Sequence, residues 1–183
     1  MATSAPIYPS PAPIPIDLFV SKKHEGLSRG EIGFADPLGN LVFRVTKNSS
    51  SHNWVVFDRL GVLLLSIYRQ HNGCWHVFKG GNVVEKEMIF RVERTLNKFF
   101  KPELEACLVK ENSGESTSNF KVKGFPFQRS CVIYGGNTIV AETSLMHNLH
   151  QIFVGRSIFR LTIFPGSIDH ALVVALVVIF LYG

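Results

Sequence analysis

The sequence predicts a mainly β protein: an antiparallel closed barrel around a hydrophobic helix at the C-terminus. Three observations carry this prediction. Short stretches with strand character recur at regular spacing, two of their connections repeat one turn motif, and residues 171–182 contain no charge, glycine, proline or amide. A segment that is apolar on every face must be covered on all sides by protein or lipid. A closed barrel is the one all-β architecture whose interior can surround a helix.

The first fifteen residues differ in composition from the rest of the chain. They hold five of its nine prolines, and they lack the basic and apolar regions of a signal peptide. We expect residues 1–15 to form an extended, disordered lead. Residues 16–183 are expected to form a single domain, because a chain of 183 residues is long enough for one sizeable core.

The strand predictions follow from alternating apolar residues between turn signals. Turns are marked by Gly, Pro, Asn and Asp, and the runs between them are short and rich in β-branched and aromatic residues. About a dozen such strands at regular spacing are typical of an antiparallel barrel or sandwich. We expect strands over residues 16–22, 32–35, 41–46, 54–57, 62–68, 74–79, 88–93, 104–110, 120–123, 130–134, 138–143, 151–154 and 158–164.

Two hairpins share the motif D-x-L-G-x-L, which begins at Asp36 and again at Asp58. Aspartate can accept hydrogen bonds from its own turn, and the glycine supplies a positive φ. Counting from each glycine, positions +2, +4 and +6 are apolar, and a period of two places them on one face. We therefore expect a shared inward face for Leu41, Phe43 and Val45, and likewise for Leu63, Leu65 and Ile67.

The last stretch of the chain departs from the strand pattern. Pro165 and Gly166 end the final predicted strand, and Ser167 or Asp169 can cap a helix. Thirteen residues is long for a strand in so regular a set, which favours a helix. A helix of twelve apolar residues is about 18 Å long, whereas a membrane span needs roughly 20 residues. The sequence therefore predicts a helix inside a protein core.

Catalytic and metal motifs are missing from the sequence. It contains no G-x-S-x-G, no glycine-rich phosphate loop and no H-E-x-x-H, so we expect a protein that is not an enzyme and has no cofactor. His71, Cys74 and His76 lie close together, but zinc needs four ligands and no second cluster has matching spacing. His147 and His150 are expected in a solvated turn, so no metal site is predicted.

Five motifs together resemble the plant LURP-one-related family. They are the D-x-x-G-x-L hairpins at 36–41 and 58–63, W-x-V-F-x-G at 75–80, F-x-V-K-G at 120–124, R-S-C-V-I-Y-x-G at 129–136 and D-x-A-x-x-x-x-L-V-V-I at 169–179. The resemblance runs from about Pro15 to the C-terminus. It implies a tubby-like fold, a twelve-stranded antiparallel barrel around a hydrophobic C-terminal helix, and kinship with tubby domains and phospholipid scramblases. Family members usually continue with a polar tail, so we expect the helix here to end uncapped at Gly183.

Basic residues on two strands are candidate contacts for an anionic lipid. Lys121 and Lys123 point outward if their apolar neighbours point inward, and Arg129 follows closely. Arg91 and Arg94 belong to a second set, with Lys98 and Lys101 following. Tubby domains bind phosphoinositide head groups through outward basic residues, although a resemblance in fold does not transfer that site to these positions. The alternative is that these residues are solvated strand faces that keep the surface soluble.

Composition supports a binding function in a reducing compartment. Nineteen Lys and Arg against fourteen Asp and Glu give a net charge of +5, which suits an anionic partner but also occurs in proteins without one. Three cysteines without a C-x-x-C pair are typical of a reduced intracellular chain. We expect a monomer, cytoplasmic, peripheral at the plasma membrane or nuclear, with no specific nucleic-acid partner.

Three functional hypotheses remain open from the sequence. The first is a non-enzymatic tubby-like domain that binds anionic membrane phospholipid, a phosphoinositide or a protein partner in plant defence or stress signalling, since one member of the resembled family is linked to basal defence. The second is a scramblase-like membrane protein whose C-terminal segment inserts into the bilayer. The third is a tubby-like, transcription-linked factor, for which the sequence offers no recognition helix or basic stripe.

Overall fold

A computed structural model describes residues 14–48, 53–80, 87–96, 101–109, 118–146, 158–166 and 168–183. Within these residues, twelve strands close into an antiparallel barrel that contains one helix, which confirms the predicted fold class. The strands are β1 (Ile16–Ser21), β2 (Ile32–Ala35), β3 (Leu41–Lys47), β4 (Trp54–Asp58), β5 (Leu63–Arg69), β6 (Trp75–Lys79), β7 (Met88–Leu96), β8 (Pro102–Leu108), β9 (Ser118–Phe125), β10 (Ser130–Gly135), β11 (Thr138–Leu145) and β12 (Phe159–Ile163). The helix is α1 (His170–Tyr182).

Each strand pairs with its neighbours in sequence, and β1 closes the barrel against β12, with Leu18 opposite Leu161. Antiparallel order places successive connections at alternate ends of the barrel. The strands β1, β3, β5, β7 and β9 therefore finish at the end of the barrel where α1 finishes, and β2, β4, β6, β8 and β10 begin there. Residues far apart in sequence therefore come together around the C-terminal end of α1.

The barrel wall encloses α1 on all sides. Residues 173–180 are buried on every face of the helix, which is why its sequence carries no polar stripe. Asp169 is the N-cap, and its Oδ1 accepts a hydrogen bond from the Ala171 N–H at 2.8 Å. At the other end, the Gly183 N–H donates to the Ile179 carbonyl at 3.0 Å. The expectation of an uncapped helix end is therefore wrong.

Both repeated hairpins adopt the predicted turn. Oδ1 of Asp36 accepts two backbone N–H groups, each at 2.9 Å, and Oδ1 of Asp58 accepts two at 2.8 Å. The glycines of the two turns, Gly39 and Gly61, have φ angles of 86° and 81°, which L side chains rarely adopt. The motif therefore specifies the same local structure twice.

A β-bulge turns the first leucine of each repeated strand away from the core. The pairing register shifts between β2 and β3 and again between β4 and β5. Leu41 consequently packs against Gly33, and Leu63 packs against Gly80, while the next residue of each strand packs on the core. The predicted shared face is wrong for these two leucines because a bulge breaks the period of two.

The predicted strand at 104–110 lies two residues too far along the chain. In the structure β8 begins at Pro102, which pairs with Leu96 at the end of β7. Proline has no N–H for the ladder and is tolerated as the first residue of a strand. The strand predicted at residues 151–154 lies outside the described residues.

The three cysteines should differ in their reaction with iodoacetamide. Cys131 has no exposed surface, and burial raises the pKa of its thiol to about 12. Cys74 is also buried, whereas Cys107 is partly exposed. Burial and, more weakly, the carboxylates of Glu93 and Glu105 raise the pKa of Cys107. At about pH 8, where an ordinary thiol is partly ionised, we expect slow modification of the native protein at Cys107 alone.

Mass spectrometry of peptides from the labelled protein measures this difference. Unfolding in urea before labelling should expose all three thiols, which provides the internal control. Modification of native Cys131 as fast as that of Cys107 would contradict its enclosed position.

Candidate functional site

The described residues contain no helix long and apolar enough to cross a membrane. In the same part of the chain, no three His, Cys, Asp or Glu side chains are grouped as a metal site would require. His147 and His150 lie outside the described residues. The search for a site therefore turns to the distribution of the basic residues.

Two of the predicted lipid contacts are neutralised on the barrel wall. Lys121 Nζ lies 2.9 Å from a carboxylate oxygen of Glu105 on the neighbouring strand β8, and this hydrogen bond raises the pKa of the lysine. Arg91 Nη2 lies 2.6 Å from a carboxylate oxygen of Glu93. Exposed pairs of this kind contribute little to stability, but they cancel charge. Lys121 and Arg91 therefore give the wall little net positive potential.

Lys123 points outward, as predicted, while its neighbour Val122 is in the core. Its Nζ lies 5.7 Å from the centre of the Tyr134 ring on β10, within the range of a cation–π contact. Because β9 runs toward the end of α1, Lys123 lies closer to that end of the barrel than Lys121 does. Lys123 is thus separated from the paired wall residues.

Arg94 lies at the end of the barrel beside the finish of α1. Its Nη2 donates to the Gly183 carbonyl at 3.5 Å, and its guanidinium carbon lies 5.3 Å from the centre of the Trp75 ring. The guanidinium carbon of Arg69 lies 5.6 Å from the same ring. Burial and then the like charge of Arg69 lower the pKa of Arg94. Arg69 and Arg94 therefore contact the same indole ring, and their like charges repel each other.

Arg129 sits on the connection between β9 and β10, immediately after a 3₁₀ turn at Pro126–Gln128. It adopts a left-handed conformation with a φ of 52°. Its Nη1 is buried and has no hydrogen-bond partner among the described residues. Burial raises the pKa of Tyr182 near the end of α1, and the charge of Arg129 partly offsets this rise. Arg129 is therefore a cation close to the C-terminal end of the helix.

A cavity of about 450 Å³ opens beside Tyr182. Lys22 Nζ lies 4.6 Å from the centre of the Tyr182 ring, and Lys47 Nζ lies 5.4 Å from the centre of the Trp54 ring. The Trp54 and Tyr182 rings are 6.2 Å apart at an angle of 48°. Arg29 supplies a third cation to the lining. The cavity thus combines positive charges with two aromatic surfaces.

These side chains form one feature, which we call the basic rim. Its members come from separate segments that the barrel brings together around the end of α1, where the helix dipole is negative and attracts cations. Of the predicted contacts, Arg94 and Arg129 belong to the rim, whereas Arg91 and Lys121 do not. The basic rim consists of Lys22, Arg29, Lys47, Arg69, Arg94 and Arg129.

Sequence reasoning missed four of the rim residues, but a signal was present. The first four strands that run toward the end of α1 finish on or close to a basic residue. In β1, β3 and β5 these residues are Lys22, Lys47 and Arg69, and β7 carries Arg94 two positions before its end. In an antiparallel barrel, alternate strand ends meet at one side. Basic residues near the ends of these four alternate strands therefore predict a positive end of the barrel.

A second cavity, of about 610 Å³, lies at the start of α1 and has a different character. Its lining is mostly apolar and includes Phe120, Ile139, Ile168 and Leu172. The charged group among its lining residues is Asp169, whose carboxylate already caps α1. Nothing in this lining attracts an anion.

The chain belongs to the LURP-one-related family, whose profile matches residues 16–181. It is 52% identical to LURP-one-related protein 7 of Arabidopsis thaliana, over 99% of this chain and 98% of that protein. It is 31% identical to LURP-one-related protein 15 of the same plant, over 92% of this chain and 80% of that protein. An X-ray structure of an Arabidopsis thaliana protein matches with a TM-score of 0.67 and 28% identity, over 92% of this chain and 91% of that one. The predicted family is confirmed.

Proposed function

We propose that this protein is a non-catalytic module that binds anionic phospholipid headgroups at a membrane surface through the basic rim. The observation that carries the proposal is the convergence of the rim cations, with three aromatic rings, on the end of the barrel. Phosphate oxygens suit such a set, because guanidinium groups bind them in pairs of hydrogen bonds and lysines act as point charges.

The surroundings of the rim cations support binding of a negatively charged ligand. Among the described residues, carboxylates pair with Arg91, Lys121 and other wall residues, whereas four of the six rim cations lie against aromatic rings. Arg69 and Arg94 repel each other across Trp75. A phosphate between them would relieve this repulsion.

The enclosed helix favours peripheral binding over insertion of the C-terminal segment. Residues 173–180 already pack against the barrel wall, and each large apolar side chain buried there contributes about 1.5–3 kcal/mol. Insertion of α1 into a bilayer would first require the barrel to open. Free cysteines are consistent with an intracellular setting, so the proposed site of action is a cytoplasmic membrane surface.

The double variant Lys22→Glu/Lys47→Glu should lose most of its binding to anionic vesicles. A basic residue near an anionic surface contributes about 1 kcal/mol, so removal of two such charges weakens binding by about 30-fold, and reversal weakens it further. Sedimentation with phosphatidylcholine vesicles, with and without phosphatidylserine, measures the effect. Binding of the unmodified protein should fall as salt rises.

The matched control is Arg59→Glu/Lys79→Glu. Both residues are exposed at the opposite end of the barrel, and the change in net charge is the same. This variant should keep most of the affinity of the unmodified protein. Equal losses in the two double variants, or no binding of the unmodified protein to phosphatidylserine vesicles at low salt, would refute the proposal.

A further inference from the structure

Apolar side chains protrude at the same end of the barrel as the basic rim. Phe127 is fully exposed, with 103% relative accessibility, and Phe125 and Leu96 are 45% and 63% exposed. Leu96 pairs with Pro102, beside Lys101, whose Nζ lies 4.7 Å from the centre of the Phe125 ring. The apolar groups are therefore neighbours across the ends of β7, β8 and β9, and they differ from the single exposed apolar residues that are common on protein surfaces.

The segment that carries Phe127 is held firmly in place. We call residues 125–129 the β9–β10 tip. Its 3₁₀ turn begins with Pro126, and the Arg129 N–H closes the turn on the Pro126 carbonyl at 3.0 Å. The Thr143 hydroxyl donates to the Arg129 carbonyl at 3.0 Å and accepts from the Cys131 N–H at 2.7 Å. Several hydrogen bonds therefore hold the segment that exposes the Phe127 ring to solvent.

Cations lie on and beside the segment that carries this aromatic ring. Lys101, Lys123 and the rim residue Arg129 lie on or beside the β9–β10 tip, and the other residues of the basic rim lie around the same end of the barrel. An exposed aromatic group at the same end of a barrel as several Lys and Arg side chains suits the boundary between headgroups and acyl chains of an anionic bilayer. The long lysine side chains can reach the headgroups while their stems cover apolar surface.

We infer that the β9–β10 tip inserts Phe127 into the bilayer interface, with the end of α1 facing the membrane. The inference rests on the proposed function and adds an orientation and an apolar anchor to it. Binding then has two parts: an electrostatic part from the basic rim, which salt weakens, and an apolar part from Phe127, which salt does not weaken.

The variant Phe127→Ser tests the apolar part. The net charge does not change, so attraction to phosphatidylserine vesicles persists at low salt, but we expect affinity at high salt to fall by about 10-fold or more. Leu38→Ser is the matched control, because Leu38 is 88% exposed in a turn at the opposite end. Equal thermal midpoints of the two variants and the unmodified protein show that folding is unaffected.

The variant Phe127→Trp tests depth directly. In vesicles of phosphatidylserine and phosphatidylcholine brominated on its acyl chains, its fluorescence should be quenched more than that of the unmodified protein or of Leu38→Trp. Vesicle binding without this extra quenching, or with no loss in Phe127→Ser, would overturn insertion, while the proposed function stands. No binding of the unmodified protein would overturn both.

Discussion

Replacement of Leu176 by alanine is expected to lower the free energy of unfolding by about 2–5 kcal/mol. Leu176 lies in the middle of α1 and is 1% exposed. The barrel wall surrounds it, so little room exists for neighbouring side chains to close the cavity that the substitution leaves. A cavity that stays open adds to the loss of stability, so we expect a value in the upper part of this range. Equilibrium unfolding in urea measures the change.

Leu38→Ala is the matched control for this prediction. The same atoms are removed from a residue that is 88% exposed in the Asp36 turn, so stability should change by less than about 0.5 kcal/mol. Val177→Asp extends the test, because an unpaired carboxylate in this core should prevent folding altogether. Normal folding of Val177→Asp would show that α1 is not enclosed.

Replacement of Gly124 by alanine should destabilise the protein by about 2–4 kcal/mol. Gly124 ends the F-x-V-K-G motif and has a φ of 152°, a conformation that glycine adopts without strain. A Cβ at this position would overlap the Ser130 backbone across the β9–β10 pair. Backbone cannot rotate out of the way as a long side chain can, so the two strands must separate locally.

The control for Gly124 is Gly166→Ala, since a Cβ there meets nothing within 4 Å. Urea unfolding should give a change within about 0.5 kcal/mol for this variant. Because Gly124 lies one residue before the β9–β10 tip, its alanine variant should also make the tip backbone exchange amide hydrogens faster. A stability of Gly124→Ala equal to that of Gly166→Ala would contradict the close strand contact.

The fold could be predicted because its main signals are local in sequence. The composition of residues 170–182 predicts an enclosed helix. The turns that begin at Asp36 and Asp58 are each specified by five consecutive residues. The bulges that reverse Leu41 and Leu63 could not be predicted in the same way, because a bulge depends on how two strands pair.

The candidate site was harder to predict because its residues are far apart in sequence and come together only when the barrel closes. Arg91 and Arg94 are three positions apart in β7, yet one pairs with Glu93 while the other reaches Gly183 at the end of α1. Lys22, Lys47 and Arg69 approach one another only because alternate strand ends meet. Charge at a strand end becomes informative once the closed order of the strands is known.

Closure of the barrel between its first and last strands has a consequence for synthesis in the cell. β1 pairs with β12, and α1 follows β12 in the chain. While the ribosome is still making β12, the earlier strands have neither their closing partner nor the helix that fills their interior. Their apolar faces remain open to other chains, a state prone to aggregation. Folding of this protein is therefore expected to finish only after α1 has left the ribosome, and to depend on chaperones until then.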